Sequence, residues 1–269
     1  MGRLLIVEKL EKRYECRRVL GAGKEVTALH DVTFSIAQGS TLALVGESGS
    51  GKSTLGFCIA CLERPTSGRI VFNGNEITAL DEKELREVHP EIQLVFQDPA
   101  RSLNPRFSAI EIVSEPLVVQ GRLDKRERES RARALLAQVG IPQVKAVYRA
   151  EEFSGGQRQR LAIARALALE PKLLILDEAL SALDCSVQAQ IANLLVELQV
   201  SLGLTYLFIS HDLAMAGHLA DEIAVMERGK VVELGSAEKV LRAPEQELTR
   251  RLIAATPRMG AVDNLPRVV

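Results

Sequence analysis

Short apolar runs alternate along this chain with longer stretches of helical texture. "STLALVG" (40–46), "EIQLVFQ" (91–97), "PKLLILDE" (171–178) and "LTYLFISH" (204–211) are near-continuous apolar runs of strand length. Runs of that kind belong to parallel strands buried on both faces between helices. "GRIVFNGNEI" (68–77) predicts a hairpin, two alternating runs around an Asn-Gly, and "EIAVMERGKVVELG" (222–235) is hairpin-like. With "VTALHDVTFSI" upstream, the first hairpin predicts a small antiparallel sheet beside the main one. A helix is expected from about Lys52 until "ERPTSG", where Pro65 forbids continuation. From 99 to about 165 the texture turns to Pro-punctuated, charge-rich helix, as in "RSLNPRFSAIEIVSEPLV" and "DKRERESRARALLAQVG". The expected plan is an α/β core over 1–98 and 165–256, a helical subdomain inserted at 99–164, and a frayed tail at 257–269.

Composition narrows this further. The 269 residues exceed a usual single domain and fall short of two, which suits one core with an insertion. Hydrophobic residues make up 46% and charged ones 26%, and the net charge is −1, so nothing global points to nucleic acid. The basic-acidic stretch 124–133 has no interleaved aromatics and reads as a solvated helix face, so no nucleic-acid partner is expected. No apolar run approaches the ~20 residues that span a bilayer. "MGRLLIVEKL" is too short and too quickly charged for a secretory signal, and Ile6 stands where a myristoylation signal needs Ser or Thr. The expectation is a cytosolic chain. Of Cys16, Cys58, Cys61 and Cys185, the pair at 58 and 61 forms a CxxC in an apolar helix. No second pair supplies the remaining ligands of a metal site, so packed, reduced thiols are expected.

The chemistry concentrates in a few strand ends. "GESGSGKST", residues Gly46, Glu47, Ser48, Gly49, Ser50, Gly51, Lys52, Ser53 and Thr54, satisfies the phosphate-loop pattern between a strand and a helix. Its glycines let the backbone curl so that successive N–H groups face phosphate oxygens, and the helix adds its positive end. Lys52 can reach the β- and γ-phosphates of a bound nucleotide, and the Ser53 hydroxyl is a hard ligand for Mg²⁺. "GAGK" at 21–24 is a decoy, with Arg18 in place of the first glycine and Glu25 in place of the hydroxyl. "LLILDE" ends in two carboxylates: Asp177 falls beside the Mg²⁺ site, and Glu178, facing elsewhere, can reach a water in line with the γ-phosphate. His211 ends "YLFISH" and can bridge phosphate and Glu178. Gln97 ends its own strand, with an amide able to ligate Mg²⁺ and the attacking water. His30, His89 and His218 have no comparable setting. "EEFSGGQRQR" (151–160) offers a second bare phosphate cradle, Ser154, Gly155, Gly156 and Gln157, leading into "LAIARALALE".

The order of Gly-rich loop, "VFQDP", "FSGGQRQR", "LLILDE", "SALD" and "FISHDL" resembles the ATP-binding subunits of ABC transporters over nearly the whole chain. The resemblance implies a P-loop NTPase core with an antiparallel β subdomain and an inserted α-helical subdomain. It also implies ATP and Mg²⁺ as cofactors, with Asp184 of "SALD" among the nucleotide-binding residues. In that family two subunits pair head to tail, each lending its "SGGQ" to the ATP held by the other. Tyr14 stands where the family stacks an aromatic ring on adenine. "VFQDPARSLNPR", the long stretch between Tyr14 and "TALHDV", and "LTRRLIAATPR" are similar to the dipeptide, oligopeptide and nickel importers.

The chain also departs from the family pattern. Phe153 replaces a Leu, and Ala179 replaces a Pro in "LDEALSALD", a segment similar to that of nickel-importing members. No cysteine follows Cys185, so no iron–sulfur cluster is expected. The implied partners are a second ATP-binding subunit, identical or paralogous, two membrane permeases and, indirectly, a solute-binding protein. The implied location is the cytoplasmic face of the inner membrane. A groove around 98–115 is expected to receive a cytoplasmic helix of the permease, with Gln97 at the hinge. Two rivals remain open: an ABC-type ATPase accessory to a non-transport complex, such as one cleaving carbon–phosphorus bonds, and a regulatory nucleotide-binding module without catalysis.

Overall fold

The computed structural model describes residues 2–16, 24–121 and 123–255. The decoy glycines Gly21 and Gly23, most of the stretch between Tyr14 and "TALHDV", and the tail from Pro257 lie outside the described residues, as does the Cys16 side chain.

Two long strands open the chain, β1 (Arg3–Cys16) and β2 (Lys24–Ala37), followed by β3 (Thr41–Val45) and helix α1 (Lys52–Ile59). Strands β4 (Ser67–Phe72) and β5 (Asn75–Glu76) form the expected hairpin, with Asn73 and Gly74 both at positive φ, the backbone an Asn-Gly turn requires. Helix α2 (Glu82–Val88) leads to strand β6 (Ile92–Val95). The insertion carries α3 (Pro99–Ser102), α4 (Ala109–Gln120), α5 (Lys125–Gln138) and α6 (Gly155–Leu167). Then come β7 (Leu173–Asp177), α7 (Cys185–Leu202), β8 (Thr205–Ser210), α8 (Leu213–Leu219), β9 (Glu222–Glu227), β10 (Lys230–Ser236), α9 (Ala237–Arg242) and α10 (Glu247–Ala255).

The strands form two sheets. The smaller is antiparallel, in the order β2-β1-β4-β5. The larger runs β10-β9-β3-β8-β7-β6 and is parallel except where β10 pairs with β9.

Period-2 alternation divides the core of the larger sheet. Leu42, Leu44, Leu173, Ile175, Leu207 and Ile209 point to one side, where they pack with the antiparallel sheet and α1. Ala43, Val45, Leu174, Leu176, Tyr206 and Phe208 point to the other, under α4 to α8. Every residue of β3, β7 and β8 is buried, which is why their sequences read as unbroken apolar runs.

Capping boxes set the starts of four helices in and before the insertion: Asp81 with Glu84, Ser108 with Glu111, Asp124 with Glu127, and Ser154 with Gln157. Each such cap is worth about 1 kcal/mol. The structure departs from sequence expectation at the end of α1. That helix stops at Ile59, well before Pro65, because Cys61 turns to φ +57 and Leu62 and Glu63 fold their N–H groups back to the Phe57 carbonyl. Proline was therefore not the terminator. Among the described residues, no helix is long and apolar enough to cross a membrane.

Candidate functional site

Register brings the chemistry together. Val45 pairs with Ser210 across β3–β8, and Asp177 pairs with Ile209 across β7–β8, so three strand tips end level. Gly46, Glu178 and His211 each follow one of those tips. This is the carboxyl edge of a parallel sheet, where such folds bind ligands.

The phosphate loop is wedged between backbones. A Cβ on Gly46 would lie 2.2 Å from the Met226 carbonyl oxygen, and one on Gly51 would lie 2.5 Å from that of Ala28. Gly51, the N-cap of α1, also sits at φ +104, a conformation that side chains rarely adopt. Lys52 is buried and folds onto its own loop. Its Nζ donates to the carbonyls of Gly46 (2.9 Å) and Glu47 (2.8 Å) and to Ser50 Oγ (3.4 Å). Burial lowers its pKa, and the carboxylates of Glu178 and Asp177 partly restore it. The ammonium thus rests where phosphate oxygens could replace those acceptors.

Ser53 Oγ donates to Asp177 Oδ1 at 3.0 Å. Burial raises the pKa of Asp177, the Ser53 bond opposes that rise, and neighbouring Glu178 adds to it. A hydroxyl beside a buried carboxylate is a pair of hard oxygen donors, and a divalent cation would relieve the carboxylate's desolvation, so these residues fit Mg²⁺.

Glu178 sits at φ +47, strained for a residue with a side chain and costing about 1–3 kcal/mol. Its N–H donates to Ile209 O at 2.9 Å, and its carbonyl accepts from Ser181 N at 3.1 Å and Ser181 Oγ at 2.9 Å. The turn swings its carboxylate away from Asp177 and toward His211, whose Nδ1 lies 3.6 Å from Oε2.

Gln97 requires a correction. The strand ends at Val95, so Gln97 does not end it but stands exposed in the loop beyond. Its Nε2 donates to Ser181 Oγ at 3.2 Å. Val95 pairs with Leu176, which brings Gln97 level with Glu178.

Tyr14, near the end of β1, comes up to the start of α1. Burial raises its phenol pKa, and a hydrogen bond with the Thr54 side chain partly opposes this. Lys12 Nζ lies 4.8 Å over one face of the ring and is itself ion-paired to Glu63 at 2.8 Å. A base stacking on Tyr14 would use the other face.

Ser154, Gly155 and Gly156 do not form a turn ahead of a helix, as the sequence suggests. Ser154 is the N-cap, its hydroxyl accepting from Gln157 N–H while the Gln157 side-chain Oε1 accepts from Ser154 N–H, and both glycines lie in the first turn of α6. Ser154 and Gly155 are exposed. A Cβ on Gly155 would meet Leu183 at an ordinary 3.6 Å, whereas one on Gly156 would clash with Val187 Cγ1 at 2.4 Å. The cradle leans on Leu183 and Val187 at the start of α7, while the body of its helix packs with β6, a strand three spacings, about 14 Å, from β3. Asp184 caps α7, accepting from Val187 N (3.0 Å) and Ser186 Oγ (2.8 Å), bonds that hold its pKa down.

Elsewhere, burial raises the pKa of Cys58 to about 12 and of Cys61 to about 11, consistent with packed thiols. A groove of about 290 Å³ lies between β6 and helices α4 and α6, lined by Phe96, Ser102, Pro116, Val119 and the Glu115–Arg165 ion pair. It misses most of the expected 98–115 stretch because Leu103, Ala109, Ile112 and Val113 of that stretch are core residues. Sequence reading overlooked Ser181. Its signal was its place three residues after Glu178 and three before Asp184.

The family profile described as "ABC transporter" matches residues 29–181. The dipeptide transport ATP-binding protein DppF of Escherichia coli (strain K12) is 42% identical over 266 residues, covering 98% of this chain and 80% of that protein. The oligopeptide transport ATP-binding protein OppD of Mycobacterium tuberculosis is 48% identical over 249 residues, 93% of this chain and 40% of that protein. A solved structure described as a dimeric, post-hydrolysis state of the ATP-binding cassette MJ0796 bound to ADP and Pi superposes with a TM-score of 0.77 at 31% identity. It covers 87% of this chain and 98% of that one.

Proposed function

The chain belongs to the ABC transporter family and is an ATP hydrolase; from that premise we propose that it powers an importer of dipeptides or oligopeptides through separate membrane permeases. The names of its relatives DppF and OppD support that cargo class. The nickel reading rests on Ala179, which is buried at 2% exposure and bears on the backbone before the 180–184 turn rather than on any cargo. A non-transport complex has no comparable support.

The observation that carries the mechanism is the split between the two cradles. The phosphate loop, with Lys52, Ser53, Asp177, Glu178 and His211, gathers at three level strand tips. The signature segment Ser154–Gly156 opens a different helix, α6, with Ser154 and Gly155 exposed. Such a turn serves the γ-phosphate of ATP held by a second subunit, so two chains close head to tail on two nucleotides.

Within each site Lys52 gives up its carbonyl partners for the β- and γ-phosphates, and Tyr14 supports the adenine. Ser53, Asp177 and the Gln97 carbonyl would hold Mg²⁺, which neutralises charge between the β- and γ-phosphates when bound. Glu178 takes a proton from the attacking water as its oxygen bonds to the γ-phosphorus, and the bridging oxygen leaves with ADP. His211, beside Glu178, holds that carboxylate toward the phosphate. The groove over β6 receives the permease, at the cytoplasmic face of the membrane, and Gln97 at its rim passes on the nucleotide state. The test is reconstitution in vesicles with two permease subunits of a dipeptide importer. Uptake of a labelled dipeptide that follows ATP consumption is expected, whereas uptake of nickel alone would overturn the cargo assignment.

A further inference from the structure

We infer that Ser181 is a positioning residue that fixes which end of the Gln97 amide faces the reaction and braces Glu178 at the same time. The inference rests on the role given to Gln97 above. A serine hydroxyl has one proton to give. Here it goes to the Glu178 carbonyl oxygen at 2.9 Å, an atom that can only accept. Toward Gln97, at 3.2 Å, the Ser181 oxygen can therefore only accept, so the end of the amide facing it must be the NH₂ group. Oε1 is then the end left for a hard cation or a water proton, which is the end that chemistry needs. Among the described residues the Ser181 hydroxyl is the side-chain partner that distinguishes the two ends, and a half-turn of the amide would present N–H groups to a cation.

The same hydroxyl acts on Glu178. With Ser181 N at 3.1 Å it doubly holds the carbonyl of a residue kept at φ +47, while Ile209 O holds the N–H at 2.9 Å. One side chain thus ties the loop after β6 to the backbone of the residue that carries the proton-accepting carboxylate. The turn that holds it is anchored in turn, because Gln188 of α7 donates to Leu180 O at 3.0 Å.

The experiment measures Mg²⁺-dependent binding of a hydrolysis-resistant ATP analogue, together with turnover, in Ser181→Ala, Ser181→Thr, Gln97→Ala and the Ser181→Ala/Gln97→Ala pair. Ser181→Ala is expected to raise the Mg²⁺ concentration needed by about fivefold and to slow turnover by about fivefold to tenfold, the scale of one or two lost hydrogen bonds. Binding without Mg²⁺ should be unchanged. Thr, which keeps the hydroxyl, should restore Mg²⁺ dependence, and on the Gln97→Ala background Ser181→Ala should shift it no further. If Gln97→Ala itself behaves as wild type, the role of Gln97 fails. If Gln97→Ala is impaired but Ser181→Ala is silent, or shifts the Mg²⁺ dependence by its full amount on the Gln97→Ala background, the positioning role of Ser181 is overturned.

Discussion

The two glycine turns of this molecule look alike in sequence and differ in what surrounds them. At 46–54 Gly46 and Gly51 are pressed against carbonyls of β9 and β2, and Lys52 fills the loop from within using three acceptors. At 154–157 the leading residues are exposed and Gly155 has ordinary room. Ser154 and Gln157 cap each other rather than anything across a site. The first turn is packed by elements of its own chain. The second opens a helix with Ser154 and Gly155 exposed. On the head-to-tail reading proposed above, that difference is what a second copy would use.

Changes at the proton acceptor should have the largest effect. Glu178→Gln is expected to keep ATP binding and lower turnover by roughly 10²–10⁴-fold in a phosphate-release assay, the range for losing a general base. Wild-type-like release would remove Glu178 from that role.

At the second turn, Ser154→Arg should leave nucleotide binding by the isolated subunit intact while weakening ATP-dependent dimerisation by more than about tenfold, a bulky cation now standing where two surfaces meet. Sizing chromatography with ATP and the Glu178→Gln background reads this directly. Dimers as abundant as those without the Ser154 change would break the comparison.

Stability should separate the turns least dramatically but most cleanly. Gly51→Ala places a methyl 2.5 Å from Ala28 O at φ +104 and should cost about 2–4 kcal/mol in chemical denaturation. Gly155→Ala, in a helical first turn with its nearest neighbour at 3.6 Å, should be neutral to about 1 kcal/mol stabilising. Equal costs at the two positions would mean that both turns are packed alike.

Much of this was legible in the residues. Unbroken apolar runs foretold strands buried on both faces, and Asn73-Gly74 announced its turn. The acids after β7, with the loop after β3, located the phosphate chemistry, because strand ends in a parallel sheet share one edge. What the sequence hid was set by tertiary contacts. α1 ends at Ile59 through backbone hydrogen bonds to the Phe57 carbonyl, not at Pro65. Gln97 stands beyond its strand and binds Ser181, a partner 84 positions away that no local pattern signals. Gly156 is required by Val187, a contact that exists only once α6 and α7 pack. The separation of the two cradles came from the family resemblance, since periodicity says nothing about which strand a helix covers.

The most direct test mixes two disabled chains. Lys52→Ala spoils the phosphate loop and keeps the signature turn; Ser154→Arg does the reverse. Each alone should be nearly inactive. Mixed in equal amounts, half the dimers should hold one site with an intact loop from one chain and an intact turn from the other, restoring up to about a quarter of wild-type ATP turnover. A mixture no more active than its components would contradict a site shared between two subunits.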